Sequence, residues 1–548
     1  MLFARTRCPT ASACWALVLC GLLIPDTALG QLNSTDSRLF IRNTADGLPF
    51  AILGRLDPTV PGFGEAMAVG DFNCDGIEDL AIGAPDANAN NVVHSGQIVI
   101  AYGSPQGLRS TDGIGLSQSS PNMPGGSEVE DYFGWALAAG GLTDDDCDDL
   151  AVGTPGEDFE DPNPFVALLD AGSVTFLRGR VGGPAGLDAF NLPFAAEFGG
   201  ATAPGDFHLF GIALAIGNVV SAPGSFNELI IGLPGYQAPA FPLPLPGSGA
   251  INVRGAGSAG PLQRNFGRVF DSNCCEQIEE SGQRFGNELA VGNFDGDGLA
   301  DVAIGIPGQR IEGMFAAGSV TVVYGDVGAP GAGGFLNFNQ RSLDVPGTSR
   351  EFELFGDVLA AGDFDADGDS DLVIGLPGLR LPEPEAGALI IRNGRSDGVN
   401  AFENAQLRTN DAVGLPNTPG DAFAHALAVG DFNGDGYDDL AAGAPGVNTS
   451  GVVDSGAVVV LYGGPAGISL TGRQIWHKGS PGIPGELGAG EEFGAGLAAG
   501  DFNDDGVDDL VVAIPQQLLG TTPRGGVLVI YGRRAAPLPN AIFANGFE

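Results

Sequence analysis

Short apolar runs recur along the whole chain, and each is bounded by Gly, Pro or Asp. The runs are rich in Val, Ile, Leu and Ala, which is typical of β-strands. Runs such as DLAIGAP from Asp79 and AVVVLYG from Ala457 are apolar at consecutive positions, which indicates strands covered on both faces. No unit keeps a 3.6-residue apolar period, so the pattern excludes helix as the main element.

Three motifs repeat in register and divide the chain into units. The first is Phe-Gly or a variant, which begins at Phe63, Phe133, Phe210, Phe285, Phe355, Phe423 and Phe493. The second is Gly-x-Pro, which begins at Gly83, Gly153, Gly232, Gly305, Gly375, Gly443 and, as a variant, Ala513. The third is an apolar run that closes each unit, such as SGQIVIAYG from Ser95. Seven units spaced by 68 to 77 residues are the signature of a repeat architecture.

Short buried strands in seven units predict an all-β fold, a seven-bladed β-propeller with four-stranded blades. We expect residues 31–535 to form it, with repeat cores near 63–103, 133–179, 210–255, 285–325, 355–394, 423–463 and 493–532. Three strands per unit are explicit, and a fourth is predicted in segments such as residues 474–478. Little chain follows Tyr531, so residues 39–56 are expected to supply the outer strand of the last blade and close the ring. Residues 536–548 form a tail.

The composition narrows the class of partner. The 548 residues include 90 Gly and 38 Pro, and 67 acidic residues oppose 24 basic ones for a net charge of −43. With a single lysine, Lys478, the chain has no basic surface for nucleic acid or anionic lipid. Cations are therefore the expected partners.

Residues 1–30 are typical of a secretory signal peptide. Arg5 and Arg7 precede an apolar segment, and a small-residue site ends at Gly30. We therefore expect a secreted or cell-surface protein without a membrane span. Four cysteines follow the signal, namely Cys74, Cys147, Cys274 and Cys275. Cys74 and Cys147 occupy corresponding loops of adjacent units, which predicts a disulfide between them, and the neighbouring Cys274 and Cys275 are a second candidate pair.

Acidic loops lie between Phe-Gly and Gly-x-Pro. In the first unit, oxygen-bearing side chains stand at loop positions 1, 3, 5 and 9, and the main-chain carbonyl of position 7 is also available. Hard Ca²⁺ needs six to eight oxygen ligands, and alternate residues of a bent loop point to one centre. The ligands predicted in this loop are Asp71, Asn73, Asp75, Ile77 and Asp79.

Four further loops keep this pattern and predict about five Ca²⁺ sites in all. Their ligands are Asn293, Asp295, Asp297, Leu299 and Asp301; Asp363, Asp365, Asp367, Asp369 and Asp371; Asp431, Asn433, Asp435, Tyr437 and Asp439; and Asp501, Asn503, Asp505, Val507 and Asp509. The fourth unit begins with Asn293, so we expect weaker binding there. The second unit has Gly141 at position 1, and the third unit has no such loop.

Phe-Gly and Gly-Ala-Pro motifs around an Asp-rich loop resemble the FG-GAP repeat of the integrin α-subunit N-terminal propeller and its bacterial relatives. The resemblance spans about residues 38–533 and departs at Phe423-Ala424 and at Ala513-Ile514-Pro515. It implies calcium loops of the strand-loop-strand type. Because protein fills every ligand position and no polar cluster stands beside the loops, we expect these sites to be structural staples rather than catalytic centres.

The function expected is a binding or adhesion module. The four histidines are scattered without zinc spacing, and no GxSxG motif occurs, so no enzyme activity is predicted. The expected form is a monomer that binds an extracellular protein or glycan through the variable loops after the Gly-x-Pro motifs, with Phe159, Phe165, Tyr236 and Phe241 as contacts. Trp135 is expected to pack within its blade. The alternatives are an extracellular hydrolase or lyase with a central-cleft site, and a purely structural surface protein.

Overall fold

The computed structural model describes residues 33–41, 62–109, 113–160, 167–183, 189–193, 207–220, 227–236, 247–257, 260–265, 281–327, 333–342, 345–380, 386–395, 402–519, 522–523 and 525–534. Seven four-stranded antiparallel sheets follow one another along the chain. Their innermost strands lie side by side, and the last contacts the first. The predicted seven-bladed propeller is therefore confirmed. The signal segment, the tail and the Cys274-Cys275 pair fall outside the described residues.

The strands succeed each other from the axis outwards within each blade. A first strand, β1 (Asn33–Ile41), precedes the blades. Blade one consists of β2 (Met67–Gly70), β3 (Asp79–Ala84), β4 (Gln97–Ala101) and β5 (Ile114–Leu116). Blade two consists of β6 (Leu137–Gly140), β7 (Asp149–Thr154), the hairpin β8 (Phe159–Glu160) and β9 (Ala167–Leu168), β10 (Ser173–Leu177) and β11 (Phe190–Pro193). Blade three consists of β12 (Leu214–Gly217), β13 (Glu228–Leu233), β14 (Ala250–Gly257) and β15 (Gly260–Asn265).

The remaining four blades repeat this plan. Blade four consists of β16 (Glu288–Gly292), β17 (Asp301–Ile306), β18 (Ser319–Val323) and β19 (Phe335–Phe338). Blade five consists of β20 (Val358–Gly362), β21 (Asp371–Leu376), β22 (Ala388–Gly394) and β23 (Phe402–Thr409), followed by the short helix α1 (Asn410–Val413). Blade six consists of β24 (Leu427–Gly430), β25 (Asp439–Ala444), β26 (Ala457–Tyr462) and β27 (Ser469–Trp476). Blade seven consists of β28 (Leu497–Gly500), β29 (Asp509–Ile514), the hairpin β30 (Leu518–Leu519) and β31 (Thr522–Pro523), and β32 (Gly526–Tyr531).

An N-terminal strand closes the ring, as predicted. β1 pairs antiparallel with β32, with Leu39 opposite Leu528, and becomes the outer strand of blade seven. Its bounds differ from the predicted residues 39–56, because backbone pairing continues into polar residues that carry no apolar signal. For the same reason the outer strand of blade six is β27, which begins at Ser469 and is half-exposed, rather than residues 474–478.

The cores lie between blades. Among the described residues, seven clusters of buried apolar side chains occur, one at each junction between neighbouring sheets. Each contains the Phe of a Phe-Gly motif; Phe63, for example, is fully buried between blades seven and one. This packing between two sheets explains why the strands are apolar on both faces.

Backbone contacts link the two motifs that define a unit. The Gly64 N–H donates to the carbonyl of Gly83 in the same blade at 2.9 Å. A Cβ at Gly83 would lie 2.3 Å from the carbonyl oxygen of Gly134 in the next blade, so only glycine permits this approach. The Phe-Gly and Gly-x-Pro motifs therefore encode the contact between consecutive blades.

Two opposite faces of the ring carry different loops. Each acidic loop joins the innermost strand of a blade to its second strand, and these loops form what we call the acidic-loop face. The turns after the second strand, such as residues 85–96, leave at the other end, which we call the turn face. No helix in the described part of the chain is long and apolar enough to cross a membrane.

Candidate metal centres

The first residue of each intact acidic loop organises the turn. In blade one, the Asp71 carboxylate accepts the main-chain N–H of Asp75 at 3.0 Å and of Gly76 at 2.8 Å. The same pair of bonds is formed by Asp363, Asp431 and Asp501 in their own loops. Asn293 accepts only a long bond of 3.4 Å from Gly298. Loop four is therefore held less firmly at position 1, as its sequence suggests.

Position 5 fixes position 7 in every intact loop. The Asp75 carboxylate accepts the N–H of Ile77 at 3.1 Å. Equivalent bonds run from the N–H groups of Leu299, Asp369, Tyr437 and Val507 to the carboxylates of Asp297, Asp367, Asp435 and Asp505. All five loops thus share one backbone geometry.

The carboxylate at position 9 is an anchor within the blade. Asp79 is fully buried and accepts the N–H of Phe72 at 3.1 Å and of Gly103 at 2.8 Å. Gly103 follows the third strand, so one side chain joins the loop to two strands. The same bond joins Gly179, Gly325, Gly394, Gly463 and Gly532 to Asp149, Asp301, Asp371, Asp439 and Asp509. In these six blades the glycine that closes the repeat is a donor to the loop, a role that the sequence alone does not indicate.

Burial of this anchor affects its charge. Desolvation raises the pKa of Asp79 to about 7 and that of Asp439 and Asp509 to about 8, although main-chain donors act against it. Nearby loop carboxylates raise these pKa values further. A bound cation would remove this cost, because it supplies the missing positive charge beside the carboxylates.

Loop five brings three carboxylates to one point. Oxygens of Asp363, Asp365 and Asp367 lie within 4.8 Å of one another. Asn393, near the end of β22, donates to Asp365 at 3.2 Å. Three converging carboxylate oxygens form the type of site that Ca²⁺ prefers. The structure therefore contains a possible acidic metal site at loop positions 1, 3 and 5.

Loop two has an internal cation instead. The Arg178 guanidinium lies 2.7 Å from Asp145 and 3.8 Å from Asp144. Arg178 directly follows β10. The equivalent position, one residue before the closing glycine, is Tyr102 in blade one and Tyr462 in blade six. An arginine in place of this tyrosine is the signal that could have revealed the pair.

Loop three is closed by a longer acid. Glu228, at the start of β13, accepts the N–H groups of Val219 and Val220 at 2.9 and 3.1 Å. It replaces the aspartate anchor of the other blades. The sequence predicts no acidic loop here, and among the described residues only this anchor is present.

Neighbouring loops are joined around the ring. The Asp148 carboxylate of loop two accepts the Asp71 N–H of loop one at 3.0 Å. Glu78, Asp438 and Asp508 form the same contact with the N–H groups of Asp501, Asp363 and Asp431. Loops one and two are also joined by the Cys74–Cys147 disulfide, with Cα atoms 4.9 Å apart. The predicted disulfide is confirmed, and position 8, which sequence reasoning passed over, couples one loop to the next.

The profile of the FG-GAP repeat matches residues 63–101, 285–323, 355–391, 423–461 and 493–530. The chain carries five FG-GAP repeats. These five are blades one, four, five, six and seven, which are the blades with intact acidic loops. The departures at Ala424 and Ala513 lie within matched repeats, so they do not break the pattern.

Curated relatives of the FG-GAP propeller fall into two groups. A phosphatidylinositol-glycan-specific phospholipase D of Bos taurus is 27% identical over 372 residues, which cover 64% of this chain and 39% of the relative. Its Homo sapiens counterpart is 38% identical over 94 residues, or 17% of this chain and 10% of the relative. Integrin alpha-PS2 of Drosophila melanogaster is 27% identical over 271 residues, or 46% of this chain and 17% of the relative. The chain thus spans less than half the length of each of these relatives.

Two expectations about aromatic residues were wrong. Tyr236 is only 5% exposed and packs in the core between blades two and three, so it is not a surface contact. Trp135 is 43% exposed at the turn face rather than packed within its blade. Phe165 and Phe241, and the side chain of Phe159, lie outside the described residues.

Proposed function

We propose that this FG-GAP propeller is a secreted or surface binding module whose five intact loops each hold Ca²⁺. The observation that carries the proposal is the repetition of one loop geometry in five blades, with oxygen-bearing side chains at positions 1, 3, 5 and 9 each time and carboxylates at positions 5 and 9 in all five. Turn formation alone needs one or two such residues per loop. Three or four carboxylates close together in one loop repel each other, and a cation among them would offset this repulsion.

Ca²⁺ would act as a staple in this arrangement. Its ligands would be the predicted side chains at positions 1, 3, 5 and 9 and the carbonyl of position 7. The loop residues already have their backbone fixed by positions 1 and 5. Because position 8 contacts the next loop, ions in neighbouring blades would stiffen the acidic-loop face together.

The turn face is the proposed ligand surface. Of ten exposed large apolar side chains among the described residues, eight lie there. They are Val93, Val129, Trp135, Leu169, Phe207, Phe315, Phe352 and Val453. Exposed apolar groups concentrated on one face mark interaction surfaces. This supports the predicted protein or glycan partner and replaces Tyr236 by other contacts.

Main-chain hydrogen bonds join two pairs of apolar residues on this surface. The Phe352 N–H donates to the Phe315 carbonyl at 2.9 Å, and the Phe207 N–H donates to the Leu169 carbonyl at 2.8 Å. Each pair joins the tip of one blade's turn to the entry of the next. The Arg310 guanidinium also lies 3.9 Å from the centroid of the Phe315 ring. Aromatic and arginine side chains are typical anchors of binding interfaces.

A binding assay with matched variants tests this function. The purified protein would be applied to glycan and extracellular-protein arrays with Ca²⁺ and with excess chelator. Replacing Phe207, Phe315 and Phe352 by Ser should abolish the calcium-dependent signal. Replacing the exposed Val181 and Val327 of the acidic-loop face by Ser is the control and should not change it. Absence of any ligand, or equal binding by both variants, would contradict the proposal.

A second candidate function, hydrolysis in the central channel, is favoured by one cluster. Burial raises the pKa of Glu288 on the innermost strand β16 to about 8, with nearby Asp357 contributing. Asn287 donates to Asp357 at 3.3 Å. A carboxyl group that keeps its proton at neutral pH beside a second carboxyl is suited to acid–base chemistry. Some relatives are named phospholipase D, so release of a glycosylphosphatidylinositol-linked substrate, and its loss in Glu288→Gln, would support this function.

A further inference from the structure

A buried polar group fills the junction between blades six and seven. Lys478 Nζ lies 2.9 and 2.7 Å from the two oxygens of Glu491. Gln517 Nε2 donates to the same carboxylate at 3.2 Å. All three side chains are at most 3% exposed. The single lysine of the chain therefore neutralises a buried carboxylate, as burial of a charge requires.

The junction between blades one and two contains the corresponding group with a different charge. Gln118, Asp131 and Glu157 have the same spacing as Lys478, Glu491 and Gln517. Gln118 Nε2 donates to Glu157 Oε2, and the Glu128 N–H donates to Asp131 Oδ2. The latter bond reproduces that of Gly488 with Glu491. One ammonium and one carboxylate are thus replaced by two carboxylates, and among the described residues no basic side chain is paired with either of them.

Other junction carboxylates have partners that Asp131 lacks. Asp421 accepts the side chains of Asn410 and Thr418. Glu353 Oε1 also has no hydrogen-bond partner among the described residues, but it lies 3.9 Å from the Arg350 guanidinium, and the charges of Arg350 and Arg380 act to lower its pKa. In the described part of the chain, only acidic side chains act on the charge of Asp131. Burial and these neighbours raise the pKa of Asp131 to about 7 and that of Glu157 to about 8.

Two oxygens of this group are buried without a hydrogen-bond partner among the described residues. They are Asp131 Oδ1 and Gln118 Oε1. Asp131 is fully buried, and Gln118 is 2% exposed. Leaving such acceptors unpaired costs free energy. Glu157 is hydrogen-bonded to Gln118, and the charge of Asp131 raises its pKa, so the three side chains lie near one another. They come from three separate segments and hold the sequence positions of Lys478, Glu491 and Gln517 at the other junction.

We propose that Gln118, Asp131 and Glu157 bind a divalent cation of the calcium type, which takes the place of the lysine ammonium. Carboxylate and amide oxygens are hard donors suited to Ca²⁺, which completes its shell with carbonyls and water. Two carboxylates match the charge of one such ion. This site is separate from the five acidic loops and lies toward the turn face, so its occupancy does not depend on theirs.

Ion counting on the full-length protein tests the site. Bound Ca²⁺ per chain would be measured by equilibrium dialysis and elemental analysis at pH 9, above the raised pKa values of both carboxyl groups, so that protons compete little with the ion. Glu157→Gln, which recreates the side chain of Gln517, should bind one ion fewer than the wild type. Glu353→Gln removes a junction carboxylate that already has an arginine beside it, so this control should bind the same number as the wild type.

A second variant keeps the test decisive if Glu157→Gln folds poorly. Gln118→Lys should also lose one ion, and in excess chelator it should melt at a higher temperature than the wild type because the ammonium is built in. The test compares the number of bound ions in the variant with the number in the wild type, so the total number of ions does not matter. If the acidic loops bind nothing, the counts should be one and zero. Equal counts in wild type and Glu157→Gln, with only their pH dependence changed, would show a shared proton and overturn the proposal.

Discussion

Loops one and two have the same anchor but differ in the charged side chains around it. Both anchor a buried aspartate on the glycine after the third strand, through Asp79 with Gly103 and Asp149 with Gly179. Loop one has Asp71 at position 1 and gathers further carboxylates. Loop two has Gly141 there, and Arg178 pairs with Asp145.

In these two loops, the contacts that build the backbone are distinct from the contacts that balance the charge. The anchor and its N–H donors build the loop in both blades, so the backbone does not need an ion to be specified. In loop one the nearest arginine, Arg109, lies 3.8 Å from Asp75, whereas in loop two Arg178 lies 2.7 Å from Asp145. On the proposed function, loop one therefore relies on an external cation and loop two on its own arginine. The two junctions differ in the same way. Lys478 supplies the positive charge at one junction, and an external ion is proposed at the junction that contains Glu157.

Of the changes considered, removal of Ca²⁺ by a chelator should lower the stability of the protein the most. A ligand bound only to the folded state at one hundred times its Kd contributes about 2.7 kcal/mol per site. Removing Ca²⁺ from five loops should therefore lower the melting temperature strongly, and Asp435→Ala should reproduce part of the loss. Calorimetry with and without chelator measures it, and identical melting curves would refute calcium in the loops.

The pH dependence of stability should change with calcium. The folded-state pKa values of Asp79, Asp301 and Asp371 are raised by burial to about 7. The folded state then holds more protons than the unfolded state between about pH 4 and pH 7, so stability without metal should fall as pH rises through this window. Melting in chelator at pH 5 and pH 8 tests the sign. Ca²⁺ should abolish most of the fall, since it binds the ionised loops; a rise with pH in chelator would contradict the account.

The Cys74–Cys147 disulfide should matter next. Closing a loop of this length stabilises a protein by about 4 kcal/mol in the chain-entropy model. The double variant Cys74→Ser, Cys147→Ser should unfold at lower denaturant in the presence of Ca²⁺. Thiol counting on the secreted wild type is the control, and two free thiols at these positions would show that the bridge is absent.

Arg178→Gln should have the smallest effect. The guanidinium is about 40% exposed, and such ion pairs contribute at most about 1 kcal/mol. The variant should lose a little stability in chelator without gaining an ion, because position 1 of loop two is still Gly141. Arg109→Gln, which removes an arginine 3.8 Å from Asp75 in loop one, is the matched control. A gain of one bound ion by Arg178→Gln would show that the arginine alone keeps metal out.

Repetition made most of the fold predictable. The Phe-Gly and Gly-x-Pro spacings gave the number of blades, and the buried runs gave three strands of each. The closing strand β1 was predicted in place but not in length, since its polar half pairs only through the backbone. Tyr236 was predicted at the surface because it begins a long insert, yet it packs in the core between blades two and three.

At the candidate metal centres, only the contacts between residues of the same loop could be predicted from the sequence. Positions 1 to 9 follow from local spacing, whereas Gly103, Arg178 and Asp148 act across a strand or across a blade. Such contacts depend on register between segments, which a single sequence does not display. An unusual residue at a repeated position, such as Arg178 where blade one has Tyr102, is the one signal available beforehand.

A crystal structure grown in Ca²⁺, with anomalous diffraction recorded at long wavelength, tests the central claim most directly. The account predicts one calcium peak in each of the loops beginning at Asp71, Asn293, Asp363, Asp431 and Asp501, with the weakest at Asn293. It predicts none in the loop beginning at Gly141, where Arg178 should still contact Asp145. Empty acidic loops, or a calcium ion beside Asp145 with the arginine displaced, would contradict it.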